Sequence, residues 1–400
     1  MLTAAEAADR LGITLATLYA YVSRGLIRSF PDPKNPRGRL YSEEDVERRG
    51  PEKAGERALH WGGPVLESAI TLIAGDHLYY RGHDVAILSG NQSIEEVAAL
   101  IWTGTLTSGA FSLTPLHVIA GRTSEGPPFV NRAASILPIV SSRDPLAYDL
   151  RPHAVAQTGW RILNLLTSVA AESSELAATV DETLQRHWAP RSGDARDLVR
   201  AALILCADHE LNVSAFVARC VASAGSNPYA VVAGGISAIE GNKHGGMTAR
   251  IERMFDELRP ARDLRAALTE RMRRGETCYG FGHRLYPNGD PRAMALMQML
   301  SERLPKSREL AFALRVAEAG EELLSEKPTI DFALVAMSRA LKLRQGAPLT
   351  IFALGRTIGW IGHAIEQYGR DEIIRPRARY VGPSPGAARH PLPQAGEGPR

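Results

Sequence analysis

The run Gly280-Phe281-Gly282-His283-Arg284-Leu285-Tyr286-Pro287-Asn288-Gly289-Asp290-Pro291-Arg292 places a histidine in a glycine-flexed loop, followed by an arginine on an Asp-Pro turn. This spacing lets an imidazole and a guanidinium converge on one small anionic ligand. The imidazole polarises a carbonyl while the guanidinium forks onto a carboxylate. A second loop of the same kind, Gly241-Asn242-Lys243-His244-Gly245-Gly246, lies upstream, and an isolated acid, Asp331 in Thr329-Ile330-Asp331-Phe332, lies downstream. Two histidines, one carboxylate and several arginines point to proton abstraction next to a carbonyl, with an anionic partner held in place.

Helices must position these groups. Helical periodicity predicts segments over 94–103, 155–171, 194–206, 213–224, 293–304, 308–324, 332–343 and 350–368. Short β-type runs are expected only at 69–73, 77–80 and 285–286. His244 sits just before a helix starting near Met247, whose positive end favours a neutral imidazole. The expected fold is mostly α.

Four hundred residues suggest two or three structural units. An apolar share of 44%, a charged share of 23% and a net charge of +3 fit a soluble globular protein and demand neither nucleic acid nor an acidic membrane surface. Cys206, Cys220 and Cys278 are widely separated, match no metal spacing and read as reduced thiols. The N-terminus lacks the features of a signal peptide, and no apolar run approaches the ~20 residues that cross a bilayer. A cytoplasmic protein without membrane association is expected.

Residues 1–50 read as a separate unit. Thr3 and Glu6 have capping-box spacing before a short helix, Thr14 can cap a second with Leu15, Leu18, Tyr19 and Val22, and Ser42 caps a third. Between them, Pro31 to Arg39 reads as a hairpin or wing. Ala5-Ala8-Leu11-Gly12-Ile13, then Thr17-Leu18-Tyr19-Tyr21, then Arg39-Leu40-Tyr41 resemble the winged helix-turn-helix of the MerR and excisionase type. That resemblance implies either a retained helix-turn-helix that binds DNA weakly or not at all in isolation, or sequence-specific DNA binding, for which a dimer would supply two half-sites. The charge pattern supports it weakly, because Glu43, Glu44, Asp45 and Glu47 offset Arg24, Arg28, Lys34, Arg37 and Arg39. Residues 51–62 read as a linker and 384–400 as a disordered tail.

From about 65 to 383 the chain resembles citrate synthase. The likeness rests on Leu78-Tyr79-Tyr80-Arg81-Gly82-His83-Asp84, Ala207-Asp208-His209-Glu210-Leu211-Asn212, His244, His283 through Arg292, Asp331, Gly355-Arg356-Thr357 and Ile374-Arg375-Pro376-Arg377, in the family's order. A shortened, divergent stretch lies between about 105 and 190. The resemblance implies a two-domain helical fold, with a large domain from 63–248 and 348–383 and a small domain from 249–347 that closes over the substrates. It implies that acetyl-CoA condenses with oxaloacetate and water to give citrate and CoA.

In that scheme Asp331 removes the methyl proton, His244 stabilises the enolate and His283 protonates the ketone. Arg292 and Arg356, assisted by His209, hold the carboxylates. Arg375 reaches the neighbouring subunit's site, making a homodimer the smallest active unit. No metal, redox cofactor or covalent nucleophile is implied, and acetyl-CoA enters as a substrate.

The His244 loop departs from the family, which usually continues His-Gly-Gly with Ala-Asn where this chain has Met247-Thr248. Propionyl-CoA, giving 2-methylcitrate, is therefore an alternative substrate, and Lys243 either approaches an anionic group or lies in solvent. A regulator whose synthase-like body senses metabolites, and a lyase running the reverse cleavage, are the competing functions.

Overall fold

The computed structural model describes residues 1–11, 15, 18, 19, 22, 27–32, 35–47, 66–107, 109 and 126–376. The expected linker and tail, Arg377 and most of the second N-terminal helix lie outside them. Of that helix, Leu15, Leu18, Tyr19 and Val22 are described and helical.

The N-terminal residues build a small core of Leu2, Ala7, Ala8, Leu11, Leu18, Ile27, Tyr41 and Val46. The capping box forms: Glu6 N–H donates to Thr3 Oγ1 (3.3 Å) and Thr3 N–H to Glu6 Oε2 (2.8 Å), starting the helix Ala4–Leu11. Ser42 Oγ accepts from Asp45 N (3.3 Å) at the head of Glu43–Glu47. The expected wing is an antiparallel hairpin, Ser29–Asp32 with Asn35–Tyr41, in which Ser29 pairs with Tyr41.

The rest is mostly helical. A three-stranded antiparallel sheet, Thr71–Ala74, His77–Tyr80 and His83–Asp84, precedes the helices. At the centre runs Ala347–Tyr368, a 22-residue helix buried almost along its whole length. Helices Ile94–Thr103, Pro152–Ala171, Asp194–Leu205, Val213–Ser223 and Pro228–Ile239 pack around it. A helix apolar over most of its surface must be enclosed, and this one is. Met247–Leu258, Leu264–Arg273, Pro291–Arg303, Arg308–Leu324 and Ile330–Ala340 follow one another in sequence and pack together. Among the described residues no helix is long and apolar enough to cross a membrane.

Two differences from the periodicity reading have local causes. Leu285-Tyr286 is a turn rather than a strand, closed by Tyr286 N–H donating to His283 O (3.0 Å). Pro228–Ile239 was not expected as a helix because Gly234 and Gly235 lower its propensity. Gly235 is there for close packing: a Cβ would lie 2.5 Å from the Trp360 ring. Helices Val85–Asn91, Phe129–Ser141, Val180–Trp188 and Leu264–Arg273 were also unforeseen. The one over 129–141 carries Pro138, a residue that discourages a helical reading.

Candidate active site

Loops and helix starts bring the chemistry-bearing residues together. The loop after Asp194–Leu205 turns at Glu210 (φ +50) and presents His209, whose Nε2 lies 2.9 Å from Tyr286 Oη. Asn212 then caps the next helix, accepting from Ser214 N (3.1 Å) and Ala215 N (3.2 Å). The His209 and His283 rings meet edge to face with centroids 5.2 Å apart, and His283 and Tyr286 lie 4.9 Å apart.

His283 follows Gly282, whose φ of +74 and contact with the Glu326 carboxylate leave no room for a side chain. Leu285 N–H donates to His283 Nδ1 (3.2 Å), so the ring's own proton sits on Nε2. Burial, then Arg292, pulls His283 down to about 4, so it is neutral at pH 7.

His244 is in the turn before Met247–Leu258. Burial, then Arg356, holds it at about 4. Burial dominates here; the helix start expected to keep this imidazole neutral is not the leading cause. Its Nε2 lies 2.8 Å from Ser214 Oγ, which also accepts from Trp360 Nε1 (3.2 Å) and lies 2.8 Å from Asn212 Oδ1. The Ser214 hydroxyl donates to Asn212 Oδ1, which can only accept, so His244 Nε2 faces an oxygen whose proton is already committed.

Asp290 organises the acid and the arginine. Its carboxylate takes Arg292 Nε (2.9 Å) and Nη2 (2.8 Å) side by side and also accepts from Ile330 N (3.0 Å). Burial is the largest influence and drives the Asp290 carboxyl up, but Arg292, His283 and the Ile330 N–H together outweigh it and hold the group below the usual carboxylate range. One carboxylate therefore anchors the starts of Pro291–Arg303 and Ile330–Ala340. Asp331 lies in the first turn of the second helix, and burial, opposed by Arg292, pushes its carboxyl up to about 6.

Arg356 comes from the central helix. Its Nε donates to Cys206 O (2.8 Å) and its guanidinium lies over Phe352 (4.7 Å to the ring centroid). Both amino groups, Nη1 and Nη2, are buried without a hydrogen-bond partner. Buried donors on a cation are costly without a partner, and these two suit an anion such as a carboxylate.

The structure thus gathers His209, His244, His283, Arg292, Arg356 and Asp331. Arg292 differs from expectation in one respect: Asp290 already occupies two of its nitrogens, leaving Nη1 outside that fork. Arg375 is exposed after the central helix and makes no hydrogen bond or ion pair among the described residues. Ser214, Tyr286, Asp290 and Phe352 were given no role from sequence; only Asp290, on its Asp-Pro helix start, carried a readable signal. The arrangement offers two neutral imidazoles, a carboxyl with raised affinity for protons and a cation open to an anion. These are the parts for acid–base carbon chemistry on an anionic ligand.

Known proteins resemble this chain. A family model described as "Citrate synthase, C-terminal domain" matches residues 152–377, and one described as "Helix-turn-helix domain" matches 1–49. The chain is 32% identical to "Putative citrate synthase 2" of Mycobacterium tuberculosis over 338 residues, covering 78% of this chain and 88% of that protein. It is 30% identical to the "2-methylcitrate synthase" of Shewanella oneidensis over 373 residues, 84% of this chain and 94% of that one. The solved citrate synthase of Thermotoga maritima superposes with a TM-score of 0.66 at 25% identity, over 80% of this chain and 94% of that chain.

Proposed function

This chain belongs to the citrate synthase family and carries a helix-turn-helix domain at its N-terminus, and on that premise we propose that it condenses acetyl-CoA with oxaloacetate and water to give citrate and CoA. The observation that carries this reading is Asp331, raised to about 6, in one cluster with two imidazoles held near 4. A carboxylate whose proton affinity approaches the working pH is a stronger base than an ordinary one and is still mostly ionised at pH 7.

Asp331 takes a proton from the thioester methyl group. His244 donates a ring N–H to the thioester oxygen as the enol forms, and the imidazole is neutral, so it can hold its proton in a shared hydrogen bond. The enol carbon attacks the ketone carbon of oxaloacetate while His283 gives its Nε2 proton to the ketone oxygen. Water then cleaves the thioester and CoA leaves. Arg356, with two open amino groups, and Arg292, through Nη1, hold the carboxylates, with His209 beside them. Residues 249–347 form a small domain that closes onto the large one and excludes water. Arg375, exposed in the single chain, completes the site of a partner subunit in a homodimer.

The test is CoA thiol release by the purified protein given oxaloacetate with acetyl-CoA, then with propionyl-CoA. Release that Asp331→Asn abolishes supports the condensing enzyme, and the faster acyl-CoA names it. A 2-methylcitrate product is the second reading, favoured by the Shewanella oneidensis relative and by Met247 beside the His244 turn. Silence with both acyl-CoAs from folded protein shifts the function to DNA-linked sensing through the helix-turn-helix domain.

A further inference from the structure

His363 is completely buried on the central helix, has no part in the scheme above, and faces a carboxylate that is equally buried. Its Nε2 lies 3.2 Å from Asp208 Oδ1, while Thr71 donates its hydroxyl to Asp208 Oδ2 at 2.5 Å. Each oxygen of Asp208 therefore has its own hydrogen-bond partner. The backbone of Asp208 is fixed as well, because its N–H donates to the Tyr80 hydroxyl (3.0 Å).

Arg356, Gly359 and His363 follow one another at helical spacing and share one face. All three meet the loop that ends in His209. Arg356 Nε bonds Cys206 O (2.8 Å), and Gly359 N–H donates to Ala207 O (3.0 Å). A Cβ on Gly359 would come within 2.5 Å of Asp208 Oδ1. Among the charges acting on Arg356, Asp208 is the first to oppose the cost of its burial. Yet neither amino group of Arg356 hydrogen-bonds Asp208.

That separation needs a cause. A buried arginine next to a buried aspartate gains most by forking onto it. Asp290 and Arg292 do so in this same site. Asp208 differs in being held at both oxygens by groups outside the arginine. We propose that Thr71 and His363 are positioning residues that restrain Asp208 as a through-space counter-ion, keeping both amino groups of Arg356 free for a ligand carboxylate. Released from them, Asp208 would turn onto the guanidinium and compete with the ligand as a tethered carboxylate at high effective concentration. The inference rests on Arg356 being the carboxylate-binding residue of the proposed function.

The experiment uses the full-length protein and oxaloacetate. Thr71→Val keeps the side-chain shape and removes the donor; the KM for oxaloacetate rises by at least about tenfold, as expected for a lost charge-assisted contact. The kcat at saturation stays within about twofold, because competition raises KM alone. Thr71→Ser restores the donor and the wild-type KM. Adding Asp208→Asn to Thr71→Val brings KM back toward wild type, since a neutral amide competes poorly, whereas a purely structural role predicts a further loss. His363→Gln, which keeps a donor, behaves like wild type, and His363→Leu behaves like Thr71→Val. Calorimetric titration of the wild type with oxaloacetate separates the two failures. Binding by wild type with an unchanged KM in both Thr71→Val and His363→Leu overturns the restraint alone. No binding by wild type overturns the reading of Arg356 and the restraint with it.

Discussion

The N-terminal unit and the synthase-like body each contain an arginine forked onto an aspartate, but the two pairs live in different media. Arg28 reaches Asp45 through Nε (2.8 Å) and Nη2 (3.0 Å), with the arginine side chain 58% exposed and the aspartate 2%. Arg292 and Asp290 make the same fork with exposures of 4% and 0%. The first pair is a brace with one end in water, where solvent screens most of its charge. The second is dry at both ends, so its charges act on His283 and Asp331 with little screening. One motif is used for holding in the first region and for setting proton affinities in the second.

Breaking the dry region has the largest expected consequence. Asp331→Asn should lower thiol release on the order of a thousandfold while leaving the circular dichroism spectrum intact. A variant within tenfold of wild type would remove Asp331 from the role of base. Arg356→Lys keeps the charge but loses the planar fork, and should raise the KM for oxaloacetate by roughly ten- to a hundredfold, with a smaller change in kcat. An equal fall in both parameters would put Arg356 outside ligand binding.

Acid sharpens the contrast. The kcat/KM should fall as pH drops through about 6, where Asp331 gains a proton and ceases to be a base. A profile flat down to pH 5 would contradict this.

Stability should separate the regions too. His209, His244 and His283 have folded-state values depressed below 6.5, so the stability they confer by staying neutral is present above 6.5 and is lost as pH falls toward 4. Asp331 works the other way: raised from 3.8, its contribution is present below 3.8 and lost as pH rises through about 6, and Glu95, Glu210 and Glu252, also raised by burial, oppose the histidines in the same sense. In the N-terminal unit Glu6 and Glu43 are held below 4.5, Glu6 by its bonds to Thr3 and Glu43 by the N-terminal amine and Arg10. Their contribution is present above 4.5 and lost only below it. Hydrogen exchange should therefore rise in the body before it rises in residues 1–47, and the opposite order would show that the buried histidines do not govern acid unfolding.

The smallest effects are expected at the helix caps. Ser93 and Glu96 form in the body the same capping box that Thr3 and Glu6 form in the N-terminal unit. Ser93→Ala should cost the body about 1 kcal/mol by denaturant titration. Thr3→Ala should lower hydrogen-exchange protection only in the N-terminal unit. Neither should change thiol release per folded molecule.

Sequence reading found what local rules encode. The 308–324 helix was placed to the residue, and both the Thr3 box and the Ser42 cap followed from spacing alone. Six of the seven residues singled out for chemistry lie in one cluster; five have motifs at loops or helix starts, where side chains can point inward, and Arg356 comes from the middle of the central helix. What escaped was set by packing across the chain. Ser214 matters because His244, thirty residues away, comes to rest on its hydroxyl. The helix at 228–239 forms around glycines because Trp360 needs the space. Asp208 owes its situation to Thr71 and His363, partners 137 and 155 residues distant. No periodicity contains such distances.

Asp290 joins the head of one helix to the head of another by accepting from Arg292 and from Ile330 N at once. A jaw that swings on this protein would then carry Arg292 and Asp331 as a single casting, their separation fixed by one carboxylate. The dimension left to such a swing would be the gap between that casting and His244 and Arg356, which lie outside it. The alignment of the casting's own parts is settled when the chain folds.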